Sequence, residues 1–203
     1  MRMDFLGFDL RYKSRDWGPE RREQYLIKPD VEQPLSVDKA VFPSIFDFDN
    51  GAPNRQSRRL VVQPREFRLQ ALGLWGDYDA MSRHGHDRNT GGENLISIAV
   101  AVATFGDPYW GDFVIESSFP GEDAKRWRFA GCDVADKFLT SGVSNCGLGD
   151  ELHSLRQVWA CRINEDGLFS AIEHASNFAR FLDSRVAEHA PFFPFGIYVR
   201  LGE

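Results

Sequence analysis

The stretch Trp127–Gly149 reads WRFAGCDVADKFLTSGVSNCGLG, and its interpretation decides the fold. It holds two of the three cysteines, Cys132 and Cys146, and four glycines, Gly131, Gly142, Gly147 and Gly149. Polar pairs Thr140-Ser141 and Ser144-Asn145 surround the apolar side chains Val134, Phe138, Leu139 and Val143. Asp133 and Asp136 fit the N-terminus of a helix beginning near Val134 or Ala135, because short acceptor side chains satisfy a helix's first N–H groups. That helix would end near Val143, with Cys146 at a tight glycine turn beyond it. The remaining chain then reads as strands and helices against which this segment docks.

Upstream, Leu6, Phe8, Leu10 and Tyr12 alternate with Gly7, Asp9 and Arg11, the period of a strand with one face buried. Lys13 to Pro34 is charged, with a turn at Asp16-Trp17-Gly18-Pro19, and reads as a loop holding a short helix. Leu60-Val61-Val62 suggests a short strand, and Arg65 to Met81 a helix weakened by Gly73 and Gly76. Leu95 to Phe105 carries β-branched Ile96, Ile98, Val100 and Val102 in alternation with small residues. A central strand fits best, a buried helix being the alternative. Phe113 to Phe119 reads as a further strand.

Downstream, Asp150 is positioned to cap a helix whose face is Leu152, Leu155, Val158 and Trp159. A longer C-terminal helix is expected over Leu168 to His189, with Leu168, Ile172, Ala175, Ala179, Leu182 and Val186 on one stripe. Phe195, Ile197, Val199 and Leu201 alternate as a closing strand. Strands and helices follow without a βαβ rhythm, which points to an α+β fold with an antiparallel or mixed sheet. The expectation is one domain over residues 1–203, within the size a single core supports.

The totals narrow the function. Twenty-four Lys and Arg against thirty Asp and Glu give a formal charge of −6, which argues against non-specific nucleic-acid binding. Thirteen per cent aromatics provide for a firm core. No run of about 18 apolar residues exists, so no membrane span is expected. The N-terminal residues show no signal-peptide pattern. An odd, low cysteine count without a CxxC pair fits free thiols in a reducing cytoplasm.

Three constellations could carry chemistry. Cys146 lies a few residues ahead of a helix that bears His153, and a thiol lowered by a helix N-terminus or a histidine is a nucleophile. The preferred reading of the same cysteine is a small residue buried at a glycine turn. His84, His86 and Asp87 could begin a metal site, with more ligands drawn from distant His153, His174 or His189, or they form a solvated loop. Asp47 and Asp49 share one face of an extended segment and could serve as an acid–base pair or meet an arginine of a partner. Arg55, Arg58, Arg59, Arg65 and Arg68 form a local basic patch beside Phe67, readable as a phosphate contact or a solvated face. There is no Walker A loop, GxGxxG, GxSxG or HExxH motif.

The run GCDVADKFLTSGVSNCG resembles a stretch of small bacterial proteins, some of which are similar to immunity proteins of polymorphic toxin systems. That resemblance implies a protein-binding role and carries over no individual site residue. The leading expectation is therefore a cytoplasmic, non-enzymatic α+β protein that needs no cofactor and binds a basic toxin or effector. Its contact surface is expected at Trp75, Asp77, Tyr78 and Asp79 with Tyr109, Trp110 and Asp112, since aromatic rings beside carboxylates anchor well on a basic partner. The alternative is a hydrolase using Cys146 with His153, or a metal held at His84 and His86.

Overall fold

A computed structural model describes residues 3–12, 18–32, 34–37, 73–79, 81–83, 95–103, 110, 125–144 and 147–202. Strands β1 (Asp4–Tyr12), β2 (Leu95–Val102), β3 (Trp127–Ala135) and β4 (Phe193–Arg200) form one antiparallel sheet in the order β1-β2-β4-β3. Helices α1 (Pro19–Tyr25), α2 (Leu152–Trp159) and α3 (Ile172–Arg185) accompany it among the described residues. The fold is α+β, as the mixed sequence pattern implies. No helix among the described residues is long and apolar enough to cross a membrane.

The register explains which residues share a face. Phe8, Ala99, Tyr198 and Phe129 stand in one row across the four strands, while Asp9, Ile98, Val199 and Arg128 stand in the next. Directly paired residues point the same way and successive ones alternate. On the first face Phe5, Phe8, Leu10, Ala99 and Trp127 pack with Met81 and with half-buried Trp75 and Tyr78. Farther along the same face of β3, Cys132 and Val134 meet the helices through Leu155, Trp159, Phe178 and Leu182. The second face buries Ile98, Val100, Val102, Phe195 and Ile197 around Leu168 and Trp110.

Both faces being covered corrects the half-buried reading of β1. Asp9 and Arg11 alternate with the apolar residues, yet they are 1 % and 3 % exposed. They tolerate this because Arg11 Nη2 lies 2.8 Å from Asp9 Oδ2, and a buried charge is tolerable only when paired. β2 is the central strand expected, bonded to β1 on one side and β4 on the other.

The expected helix from Val134 to Val143 does not form. β3 runs through Ala135, a five-residue turn follows, and Ser141 bridges back to Ala135. Polar side chains here take the backbone N–H groups that a helix would have used. Asp133 Oδ1 accepts from Val134 N, Asp136 Oδ1 from Phe138 N and Thr140 N, and Ser141 Oγ from Val143 N and Ser144 N. Gly131 permits the docking of the next segment: its φ is +147°, and a Cβ there would stand 2.8 Å from Phe169 O. Without that glycine the paired bonds Cys132 N→Phe169 O and Phe169 N→Cys132 O, both 2.8 Å, could not close on the strand edge.

Those bonds also shorten the C-terminal helix. Phe169 is held strand-like against β3, and Asn164 Oδ1 accepts from Asp166 N and Leu168 N, so the helix starts at Ile172 and not Leu168. It ends at Arg185, where Asp183 Oδ1 takes Phe192 N and turns the chain into β4. Its buried residues Ala175, Phe178, Ala179 and Leu182 follow the i, i+3, i+4, i+7 spacing of one face. Asp150 lies within a 3-10 turn, Gly149–Glu151, ahead of α2 and is not its cap; Val158 of the expected face is 51 % exposed. The expected helix through Arg65 to Met81 is interrupted in its described part, because Gly73 has φ +71° and Trp75 bridges to Phe8 of β1. The short helix expected within Lys13–Pro34 is α1. It buries no side chain and is tied down by Arg156, whose guanidinium donates to the carbonyls of Glu23 and Leu26.

Candidate functional site

Three polar arrangements are built along β3. The first lies inside. Asp133 faces the core beside Phe195 and is 0 % exposed, yet its carboxylate accepts four bonds: Ser36 Oγ at 2.9 Å, Val37 N at 2.8 Å, Val134 N at 2.7 Å and Ser141 Oγ at 2.7 Å. Ser36 Oγ is also 3.2 Å from Ser144 Oγ. Burial pushes the Asp133 carboxyl up to about 6, the four donors opposing the rise without cancelling it. The group bolts residues 36–37 to the end of β3 and the following turn, and it is closed to solvent.

The second arrangement is the turn after β3. Asp136 is buried, and Oδ1 holds Phe138 N at 2.8 Å and Thr140 N at 2.9 Å while Oδ2 meets His189 Nδ1 at 2.9 Å. Leu139 takes φ +63°, a left-handed conformation costly for a branched side chain, and is itself buried. Phe138, at the tip, is 66 % exposed.

The third lies near the opposite end of β3, where Trp127 begins the strand. Tyr78 and Trp127 meet edge to face at 5.8 Å, Phe8 packs on both at 5.6 Å, and the Arg200 guanidinium stands 3.8 Å over the Tyr78 ring. A cation over an aromatic face is electrostatically favourable, so the rings and the arginine hold one another. Reciprocal backbone bonds between Trp75 and Phe8, both 2.8 Å, fix the segment along the outer edge of β1. Asp77 and Asp79 are exposed on either side of half-buried Tyr78.

The expected surface residues are therefore divided. Trp75, Asp77, Tyr78 and Asp79 come together in this third arrangement. Trp110 is not a surface anchor: it is 0 % exposed and wedged edge-on between Phe193 and Phe195, each at 5.4 Å. Its aromatic ring is worth more in the core than in solvent. Tyr109 and Asp112 lie outside the described residues, as do Cys146, His84, His86, Asp87, Asp47, Asp49 and the arginines 55–68. His153 is exposed on α2 and pairs with Gln157 at 2.9 Å. Among the described residues no three His, Cys, Asp or Glu side chains are grouped to hold a metal ion.

Sequence reasoning missed the exposed Phe138, the His189–Asp136 contact and the inward Asp9–Arg11 pair. Only Phe138 carried a signal, an aromatic residue between Lys137 and a Thr-Ser-Gly turn.

Of the described cysteines, Cys132 is fully buried with its thiol pushed up to about 12, chiefly by burial and then by Asp133, while Cys161 is exposed. A thiol so shielded is inert. Labelling with a maleimide at neutral pH, followed by peptide mapping, is expected to modify Cys161 within minutes and to leave Cys132 unmodified until the chain is unfolded. Fast labelling of Cys132 in the native protein would contradict this placement.

No family model, no curated protein and no solved structure matches this chain.

Proposed function

We propose that the protein is a non-enzymatic binding protein, of the immunity or antitoxin kind, whose partner is a basic toxin or effector. The observation that supports this reading is the exposed pair Asp77 and Asp79 flanking half-buried Tyr78, whose ring is held in place by Phe8, Trp127 and Arg200. Rigid rings give contact area at little entropic cost, and flanking carboxylates steer a cationic partner. The formal charge of −6 acts in the same direction at longer range. The bacterial origin and cytoplasmic location belong to the same proposal.

The test is affinity capture with the tagged full chain in its own cells, followed by titration of the recovered partner. The double variant Asp77→Lys/Asp79→Lys is expected to bind at least about tenfold more weakly than wild type, as charge reversal at a complementary surface does. Its thermal midpoint is measured alongside, so that weaker binding is read only from folded protein. Affinity within twofold of wild type would remove the basis for the reading.

A further inference from the structure

Residues 18–32 and 34–37 are tied to the chain far downstream by two kinds of fastening. In the first stretch Arg156 donates to the carbonyls of Glu23 and Leu26, Lys28 Nζ donates to Ile163 O at 3.1 Å, and Ile27 N donates to Val143 O at 3.3 Å. None of these fastenings uses a carboxylate. Residues 34–37 are held differently. Leu35 N donates to Asp166 O at 2.8 Å, and Pro34 lies so close to Gly167 that a Cβ there would stand 2.6 Å from Pro34 Cβ. Ser36 Oγ and Val37 N both end on Asp133 Oδ2. Two of the four bonds to this enclosed carboxylate therefore come from a segment some 97 positions away in sequence.

The surroundings of Asp133 are neutral among the described residues. Residues 34–37, residues 141–144 and residues 194–196 of β4 carry no charged side chain. On β3 the titratable neighbours are Cys132, turned to the other face where Glu173 of α3 acts on it, and Asp136, engaged by His189. A carboxylate enclosed without a cation resists ionising, and burial accordingly pushes this one up to about 6. The protonated form also fits in place. A proton on Oδ2 is donated to Ser36 Oγ, which turns its own hydrogen toward Ser144 Oγ, 3.2 Å away, a contact that either hydroxyl is able to donate.

We infer that residues 34–37 are a pH-sensitive latch, closed on β3 while Asp133 is protonated and opening locally once that carboxylate ionises, with residues 23–28 staying clamped. Opening hydrates the carboxylate and uncovers the Asp166–Leu168 backbone beneath Pro34 and Leu35. The sign follows from linkage. Closed, the group holds its proton more tightly than it does in water, so the closed state is favoured fully below pH 3.8 and loses that advantage as pH rises through about 6. The clamp at residues 23–28 rests on no carboxylate, which confines the effect to the latch.

The experiment is amide hydrogen exchange of the full chain, read by NMR from pH 4.5 to 7.5 with each rate divided by its intrinsic base-catalysed value. The amides of Leu35 and Val37 are the reporters, and Ile27 marks the clamp. At pH 7.5 both reporters are expected to exchange at least about tenfold faster than Ile27, as a local opening requires. Their protection should fall together by about twenty- to thirtyfold from pH 4.5 to 7.5. In Asp133→Asn it should stay within about threefold over the same range. Should that variant not fold, the wild-type profile decides alone. The inference is overturned if Leu35 and Val37 exchange no faster than Ile27 at pH 7.5. Protection that is flat or rises with pH overturns it too, as does an Asp133→Asn protein that keeps the wild-type dependence.

Discussion

Arg11→Met is expected to cost about 3–5 kcal/mol of unfolding free energy, because it leaves a carboxylate in the interior without its counter-charge. The two side chains are 4 % and 2 % exposed and 2.8 Å apart, and Asp9 Oδ1 accepts from Leu10 N. Methionine restores the packed stem and returns no charge. The double variant Asp9→Leu/Arg11→Met removes both desolvated ions and should recover most of the loss, as apolar replacements of buried ion pairs do. Urea unfolding of wild type, both single variants and the double variant measures the coupling. A single variant within about 1 kcal/mol of wild type would contradict the burial of this pair.

The second large effect concerns Asp133 and has an unusual sign. Its carboxyl is about 6 in the folded protein against an ordinary 3.8, so the folded state holds the proton more tightly than the unfolded chain. The resulting stabilisation is fully present below pH 3.8 and is lost as pH rises through about 6. At 1.36 kcal/mol per unit this amounts to about 3 kcal/mol. Between pH 7 and pH 4, therefore, Asp133 alone makes the protein more stable as acid is added, opposite to the contribution of ion-paired carboxylates. Asp133→Asn removes this term. It also sets an amide N–H₂ among the donors of Ser36, Val37, Val134 and Ser141, so it is expected to lose about 3 kcal/mol at neutral pH. The measurement is unfolding free energy for both proteins from pH 4 to 7. Wild type should gain on the variant as pH falls, and parallel curves would contradict the assignment.

How much of this was legible in the sequence depended on what each signal competed with. The strands β1, β2 and β4 were readable because alternation at period two survives any packing, and the apolar face of α3 was readable for the same reason at 3.6. The stretch from Val134 to Val143 misled because its apolar spacing suits a helix, whereas Asp133, Asp136 and Ser141 each divert backbone N–H groups into a strand and turn. That outcome depends on Gly131 letting Phe169 approach, a partner 38 residues away that no local window contains. The burial of Asp9 and Arg11 was equally hidden, since a second covered face leaves no mark on an alternating pattern. For the candidate surface, Asp77, Tyr78 and Asp79 were chosen by adjacency alone, and the structure adds that both carboxylates are exposed. Trp110 was misplaced because a tryptophan beside turn residues reads as surface until Phe193 and Phe195 are seen around it.

Ionisable groups turned inward fasten the fold, and the proposed recognition of a basic protein falls to Asp77 and Asp79 at the exposed end. The rate of association between the full chain and its captured partner, followed from low to high salt, tests that most directly. Wild type should associate rapidly at low salt and slow by at least about tenfold toward 0.5 M as charges are screened, with Asp77→Lys/Asp79→Lys slow throughout. A rate independent of salt and unchanged in the double variant would contradict it.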